Sequence, residues 1–98
     1  MNIQAMMKQA QSLQKEMLRI KSEIDATEFI GESSLVKVTV MGNKVVAKIE
    51  IMDKESLGSD DLEMLEDMIM IAINDAMKKI DAATEKKMGK FGSIPGLF

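Results

Sequence analysis

Lys8, Lys15 and Arg19 stand seven and four residues apart near the start of the chain. On an ideal helix those steps put three cations within about 40° of one another, along roughly 16 Å of axis. Such a row matches the scale of a few phosphates on a nucleic-acid duplex. Gln4, Gln11 and Ser22 lie near the row and can donate to phosphate oxygens. A second group of cations, Lys78, Lys79, Lys86, Lys87 and Lys90, comes late in the chain. The chemistry both groups offer is contact with an anion. Each also has a plain structural reading. Glu16 and Glu23 can balance the first row as a solvated helix face, and lysines at a helix end suit its dipole.

Other chemistries are poorly supplied. The chain has no His and no Cys. The commonest base near neutral pH, thiolate ligands and disulfides are therefore excluded. No nucleophile–base pair, phosphate loop or metal motif appears, so the chain reads as a non-enzyme without cofactor or small-molecule substrate. Asp60, Asp61, Glu63, Glu66 and Asp67 form an acidic cluster, but without calcium-ligand spacing. The longest apolar run, Met68 to Ile73, is far short of a membrane span. The first residues lack a signal pattern, and a cytoplasmic protein is the expectation.

The elements that must position these residues follow from periodicity. Ile3, Met6, Ala10, Leu13, Met17, Ile20, Ile24 and Thr27 alternate steps of three and four, the a/d spacing of a heptad. They predict a helix from about Ile3 to Asp25, with the cations nearly opposite its oily seam. The seam could pair with a second copy's helix, pack on a second copy's body, or lie on a membrane surface; the last is poorly served by a polar face of mixed charge without aromatic anchors.

Three strands are expected next, at Thr27–Glu32, Leu35–Met41 and Lys44–Met52. Val36, Val38 and Val40 alternate with polar residues, and the last strand should turn Val45, Ala47, Ile49 and Ile51 inward. Gly42-Asn43 reads as a tight turn with positive φ. Asp60 and Glu63 read as a capping box opening a second helix that runs to about Lys87. Leu65, Met68, Ile69, Ala72, Ile73 and Ala76 mark its apolar face, a candidate core and dimer surface.

The predicted fold is α+β: helix, three-stranded antiparallel meander, helix. One domain is expected over residues 1–92, with a flexible tail over 93–98. A core built from 98 residues is modest, and pairing of copies is plausible on size alone. Eleven Met and only three Phe suggest that Met fills gaps usually taken by aromatics. The net charge of −3 hides a segregation. Seven acids and no base occupy residues 55–75, whereas five Lys face two acids from Lys78 onward.

Several segments together resemble the YbaB/EbfC family of bacterial nucleoid-associated proteins. They are Met7-Lys8-Gln9-Ala10-Gln11, Ile30-Gly31-Glu32-Ser33, Leu35 to Val40 with Gly42, Glu63-Met64-Leu65-Glu66-Asp67, Ala72-Ile73-Asn74-Asp75-Ala76 and Glu85-Lys86-Lys87-Met88. The turn at Glu32-Ser33-Ser34-Leu35 is shorter than the Gly-rich loop many members carry. The resemblance implies a homodimer whose first helices project like tweezer arms. It also implies a nucleoid location and low-selectivity binding of double-stranded DNA, with a role in chromosome organisation or transcription. The cations named above are then the candidate DNA contacts. With no aromatic placed to stack on bases, single strands are a poor fit. A rival reading is a dimeric adapter whose Met-rich arms grip another protein.

Overall fold

The computed structural model describes residues 2–89, so Lys90 and the expected tail over 93–98 lie outside the described residues. The order of elements is α1 (Ile3–Asp25), β1 (Glu28–Ser33), β2 (Val36–Met41), β3 (Val46–Ile51) and α2 (Leu62–Met88). Two short 3-10 turns, Lys54–Ser56 and Ser59–Asp61, precede α2. This is the α-β-β-β-α order expected from periodicity. The sheet is antiparallel with order β1-β2-β3.

Helix α1 is opened by Asn2, whose side chain accepts from the amides of Gln4 and Ala5 at 3.0 and 3.4 Å. Good helix formers fill it, with no Gly or Pro. It ends where Thr27 turns its hydroxyl to the Glu23 carbonyl at 2.6 Å. The start of α2 differs from expectation. Asp61, rather than Glu63, reaches back, accepting from the Gly58 amide at 2.9 Å. The Asp61 amide in turn donates to the Gly58 carbonyl at 3.0 Å. The reciprocal pair tightens a 3-10 turn one step before the α-helix begins.

Val36, Val38 and Val40 line the core face of β2 and meet Ala72, Ala76 and Ile80 of α2. Phe29 and Gly31 sit opposite Val40 and Val38 on the same face. Gly31 looks like a weak point for a strand. Its use is close approach: a Cβ there would lie 1.9 Å from the Ala72 carbonyl oxygen and 2.6 Å from the Ala76 nitrogen. Helix α2 therefore crosses β1 nearly backbone to backbone, over one Gly and two Ala.

The β2–β3 turn is a correction. It has three residues, Gly42-Asn43-Lys44, and the positive φ of 70° falls on Lys44. Gly42 serves contact instead, since a Cβ there would lie 1.7 Å from the Ile24 carbonyl oxygen. Thr39 pairs with Lys48 but Val40 with Val46, leaving Ala47 as an extra residue in β3. The bulge brings Val46, not Val45, opposite Val40. The inward set of β3 is thus Val46, Ile49 and Ile51.

Helix α2 packs on β1 and β2. The outermost strand, β3, is left largely uncovered on its core face, with Val46 and Ile49 exposed. A second, smaller core joins Met17, Ile20 and Ile24 of α1 to Met88 of α2. The first half of α1 lies beyond both cores. The molecule measures 71 × 19 × 16 Å, and its radius of gyration is 19.4 Å. A compact domain of this length would have about 13 Å.

Candidate nucleic-acid interface

Residues Ile3 to Lys15 are exposed on every side of α1. They form a free arm about 20 Å long. The seam divides at Leu13: Met17, Ile20 and Ile24 are buried at the root, while Ile3, Met6 and Leu13 stay open on the arm. Lys8 and Lys15 stand on the opposite face, outside the ion pairs found among the described residues. Their ammonium groups are unengaged and can meet an anion without breaking an existing contact.

Arg19 differs. Its guanidinium lies 2.6 Å from Glu23 and 3.8 Å from Glu16, one helical turn to either side. The three-residue stripe therefore holds two uncommitted cations and one already flanked by carboxylates. Lys21 is paired likewise with Asp25 at 3.0 Å. All these groups are well exposed, so the pairs add little stability. Their effect is to dilute positive charge at the root and leave it on the arm.

The late lysines also divide. Lys78, Lys86 and Lys87 are exposed and stand outside those ion pairs. Lys79 is occupied: its ammonium donates to the Ile30 carbonyl at 2.7 Å and lies 3.2 Å from Asp75. Asp75 accepts from the Glu32 amide at 3.1 Å. One α2 carboxylate and one α2 ammonium thus engage two outward backbone groups of β1, the Glu32 amide and the Ile30 carbonyl. The Glu32 amide, together with Lys79, holds the Asp75 carboxyl below the usual aspartate value. From the sequence, Asn74-Asp75 could buttress either the dimer or the sheet through hydrogen bonds; for Asp75 the structure shows a bond to the sheet. The role needed a partner 43 residues away, which no local spacing reveals.

The two edges of the sheet are consequently unlike. The β1 edge is partly capped by Asp75 and Lys79 of α2, whereas β3 carries exposed apolar residues along its edge. Ala72 and Ala76 are buried, and Leu65, Met68, Ile69 and Ile73 are partly buried against the core. Ile69, Ile73 and Met77 lie roughly 140° around α2 from Asp75 and Lys79, toward the uncovered side of the sheet. Leu62 and Met70 on that flank are exposed. Both β3 and this flank of α2 thus carry exposed apolar residues. No described helix is long and apolar enough to cross a membrane.

Comparison with known proteins agrees with this anatomy. Residues 1–94 match the YbaB/EbfC DNA-binding family. A nucleoid-associated protein of Ligilactobacillus salivarius is 44% identical over 100 residues, covering 99% of this chain and 95% of that protein. One from Streptococcus thermophilus is 47% identical over 98 residues, covering 97% and 98%. The crystal structure of an uncharacterised Helicobacter pylori protein superimposes with a TM-score of 0.75 at 18% identity, over 95% of this chain and 99% of that one, which shows the shared fold. With the match extending across arm, sheet and second helix alike, this chain belongs to the YbaB/EbfC DNA-binding family.

Proposed function

We propose that this protein binds double-stranded DNA as a homodimer in the nucleoid, chiefly through phosphates and with little regard for sequence. The observation that carries the reading is the free arm with Lys8 and Lys15 uncommitted on one face, in a chain of a DNA-binding family. The arm is rigid by helix formation and clear of the body. It can therefore lie along a duplex without unfolding anything. Lys78, Lys86 and Lys87 add exposed cations on α2, and Lys90 follows them in sequence.

The dimer forms over β3 and the adjoining flank of α2. An exposed strand edge next to Val46, Ile49, Leu62 and Met70 costs free energy in water and is relieved by a second copy of the same surface. The partly capped β1 edge favours pairing on the other side. A pair doubles the arms and makes the charge groups act together on one polyanion.

Catalysis has no place in this reading. Its role is mechanical, in organising the chromosome or tuning transcription. The test is an electrophoretic shift with unrelated duplexes at stepped salt. If Lys8 and Lys15 of both copies each neutralise one phosphate, the logarithmic salt slope from the arms is about −3.6. Affinity should then fall by about 150-fold between 50 and 200 mM salt. Affinity that ignores salt, or no binding in dilute buffer, would instead favour an adapter gripping protein through Ile3, Met6, Met7 and Leu13.

A further inference from the structure

The two faces of the arm need different neighbours. Lys8 and Lys15 stand nearly opposite the seam, so an arm laid on a duplex by its cations turns Ile3, Met6, Ala10 and Leu13 away from the DNA. Ile3, Met6 and Leu13, with Met7 at the border of the seam, are 39–71% exposed. Contact with DNA therefore leaves this apolar edge in water.

The edge is complementary to a second copy of itself. Over this stretch the positions flanking the seam hold Asn2, Met7, Gln9 and Gln14, so two seams meet without like charges. In an antiparallel pair centred on residue 8, Met6 of one arm faces Ala10 of the other, and Ile3 faces Leu13. Large then meets small at the centre, the alternation that fills a narrow space between helices. An acidic protein surface would be drawn to the lysine face instead. Burying the four large side chains on both arms would cover on the order of 900 Å², short of the ~1,200 Å² of a lasting interface. Free in solution such a pair does not hold. On DNA, neighbouring copies raise the local concentration and the contact closes.

We propose that arms of two DNA-bound dimers pair back to back and antiparallel through Ile3, Met6, Ala10 and Leu13, and so bridge two duplexes. The inference rests on the DNA-binding reading above. Because the lysines lie opposite the seam, a pair of arms presents cations on its two outer faces, one for each duplex. Each contact is small, so a bridge is reversible and gains strength from their number.

A duplex fixed to beads is incubated with the full-length protein and a labelled second duplex in dilute buffer. The parent should retain the labelled duplex. Met6→Gln/Leu13→Gln changes exposed residues outside the packed cores and keeps helix propensity. It should retain at least ~10-fold less label, with unchanged affinity for a single duplex in a shift assay. Equal retention would overturn the bridge. Weakened single-duplex binding by the variant would make the seam a DNA contact and overturn it too. No shift with the parent would overturn the DNA-binding reading itself, and the bridge with it. The native chain lacks Cys, so cysteines report the register. Met6→Cys and Ala10→Cys proteins, mixed on a duplex and oxidised, should link to each other, whereas neither should link alone. Stripped of DNA in high salt, the linked sample should sediment as larger than a dimer. Met6→Cys linking to itself would refute the antiparallel register. A linked product no larger than a dimer would mean that the arms of one dimer close on each other, which equally refutes the bridge.

Discussion

Replacing Gly31 by Ala tests the central packing of the fold. The added methyl would lie 1.9 Å from the Ala72 carbonyl oxygen, 2.6 Å from the Ala76 nitrogen and 2.9 Å from the Ala76 Cβ. The first two obstacles are backbone atoms of α2, and no side-chain rotation removes them. Ordinary contact begins near 3.4 Å, so helix and strand must part locally by about 1.5 Å. A gap of even ~1 Å forfeits up to half of the dispersion attraction of the atoms involved. Those atoms belong to the best-buried part of the molecule, around Val38, Ala72 and Ala76. Overpacking of this kind costs about 1–3 kcal/mol, and a backbone obstacle puts the site at the upper end. Loss of glycine's freedom in the unfolded chain returns about 0.4–1 kcal/mol. The net loss is about 2 kcal/mol, or roughly 8–16 °C in Tm for a domain of this size. Gly58→Ala is the matched control. Gly58 has φ of −124° and nothing within 4 Å of its built Cβ. Its stability should change by less than about 0.5 kcal/mol. Thermal melts followed by circular dichroism, repeated in urea, give both numbers. A Gly31→Ala protein melting within about 2 °C of the parent would refute the backbone-to-backbone crossing.

Further outcomes follow from the same contacts. Lys8→Gln/Lys15→Gln should flatten the salt slope of duplex binding by about 3.6 in a dimer, while Arg19→Gln, which removes a cation already flanked by two carboxylates, should change it less; equal effects from all three positions would place the stripe's chemistry wrongly. Lys79→Gln should lower thermal stability, because it strips the Ile30 carbonyl and Asp75 of their partner, and leave the salt slope intact; a reduced slope in a protein of parental Tm would make Lys79 a DNA contact. Asp75 has its carboxyl held low in the folded chain, so its contribution is present above the ordinary aspartate value of 3.8 and is lost as pH falls through the lower, folded value. Asp75→Asn should therefore flatten the acid limb of the stability curve below about pH 4, and an unchanged limb in urea titrations would assign the acid sensitivity elsewhere. Ile49→Lys alters a residue that is 45% exposed in the single chain, so an isolated monomer should tolerate it within about 0.5 kcal/mol. If β3 is the dimer face, sedimentation should show dissociation instead; a normal dimer would remove β3 from the interface.

Much of this architecture was legible in the residues alone. The heptad from Ile3 to Ile24 and the alternation of Val36, Val38 and Val40 each arise from repeats of a few residues, whereas the cap of α2 fell to Asp61 rather than to the expected Asp60 and Glu63. Local steric and hydrogen-bonding preferences act over that same range. The α-β-β-β-α order and the length of α1 therefore needed no tertiary information, and the ordered segments carrying the family resemblance were equally visible. Gly42 was legible only as a turn residue. Its reason, the nearby Ile24 carbonyl, belongs to another element. The shift from Val45 to Val46 had the same cause, since a bulge answers to the partner strand rather than to the strand's own alternation.

The division is clearest among the charges. Sequence established which side chains are cationic and which share a helix face, because helical geometry carries spacing into direction. It could not say which were already spoken for. Arg19 met its carboxylates one turn away, within reach of spacing rules, but Lys79 met Ile30 and Asp75 met Glu32 only when α2 folded over the edge of β1. The free arm was likewise decided in three dimensions. The seam is continuous in sequence, yet the body is short enough to cover only Met17, Ile20 and Ile24. Periodicity tells a helix which face is oily; only the finished packing determines how far along that face another surface extends.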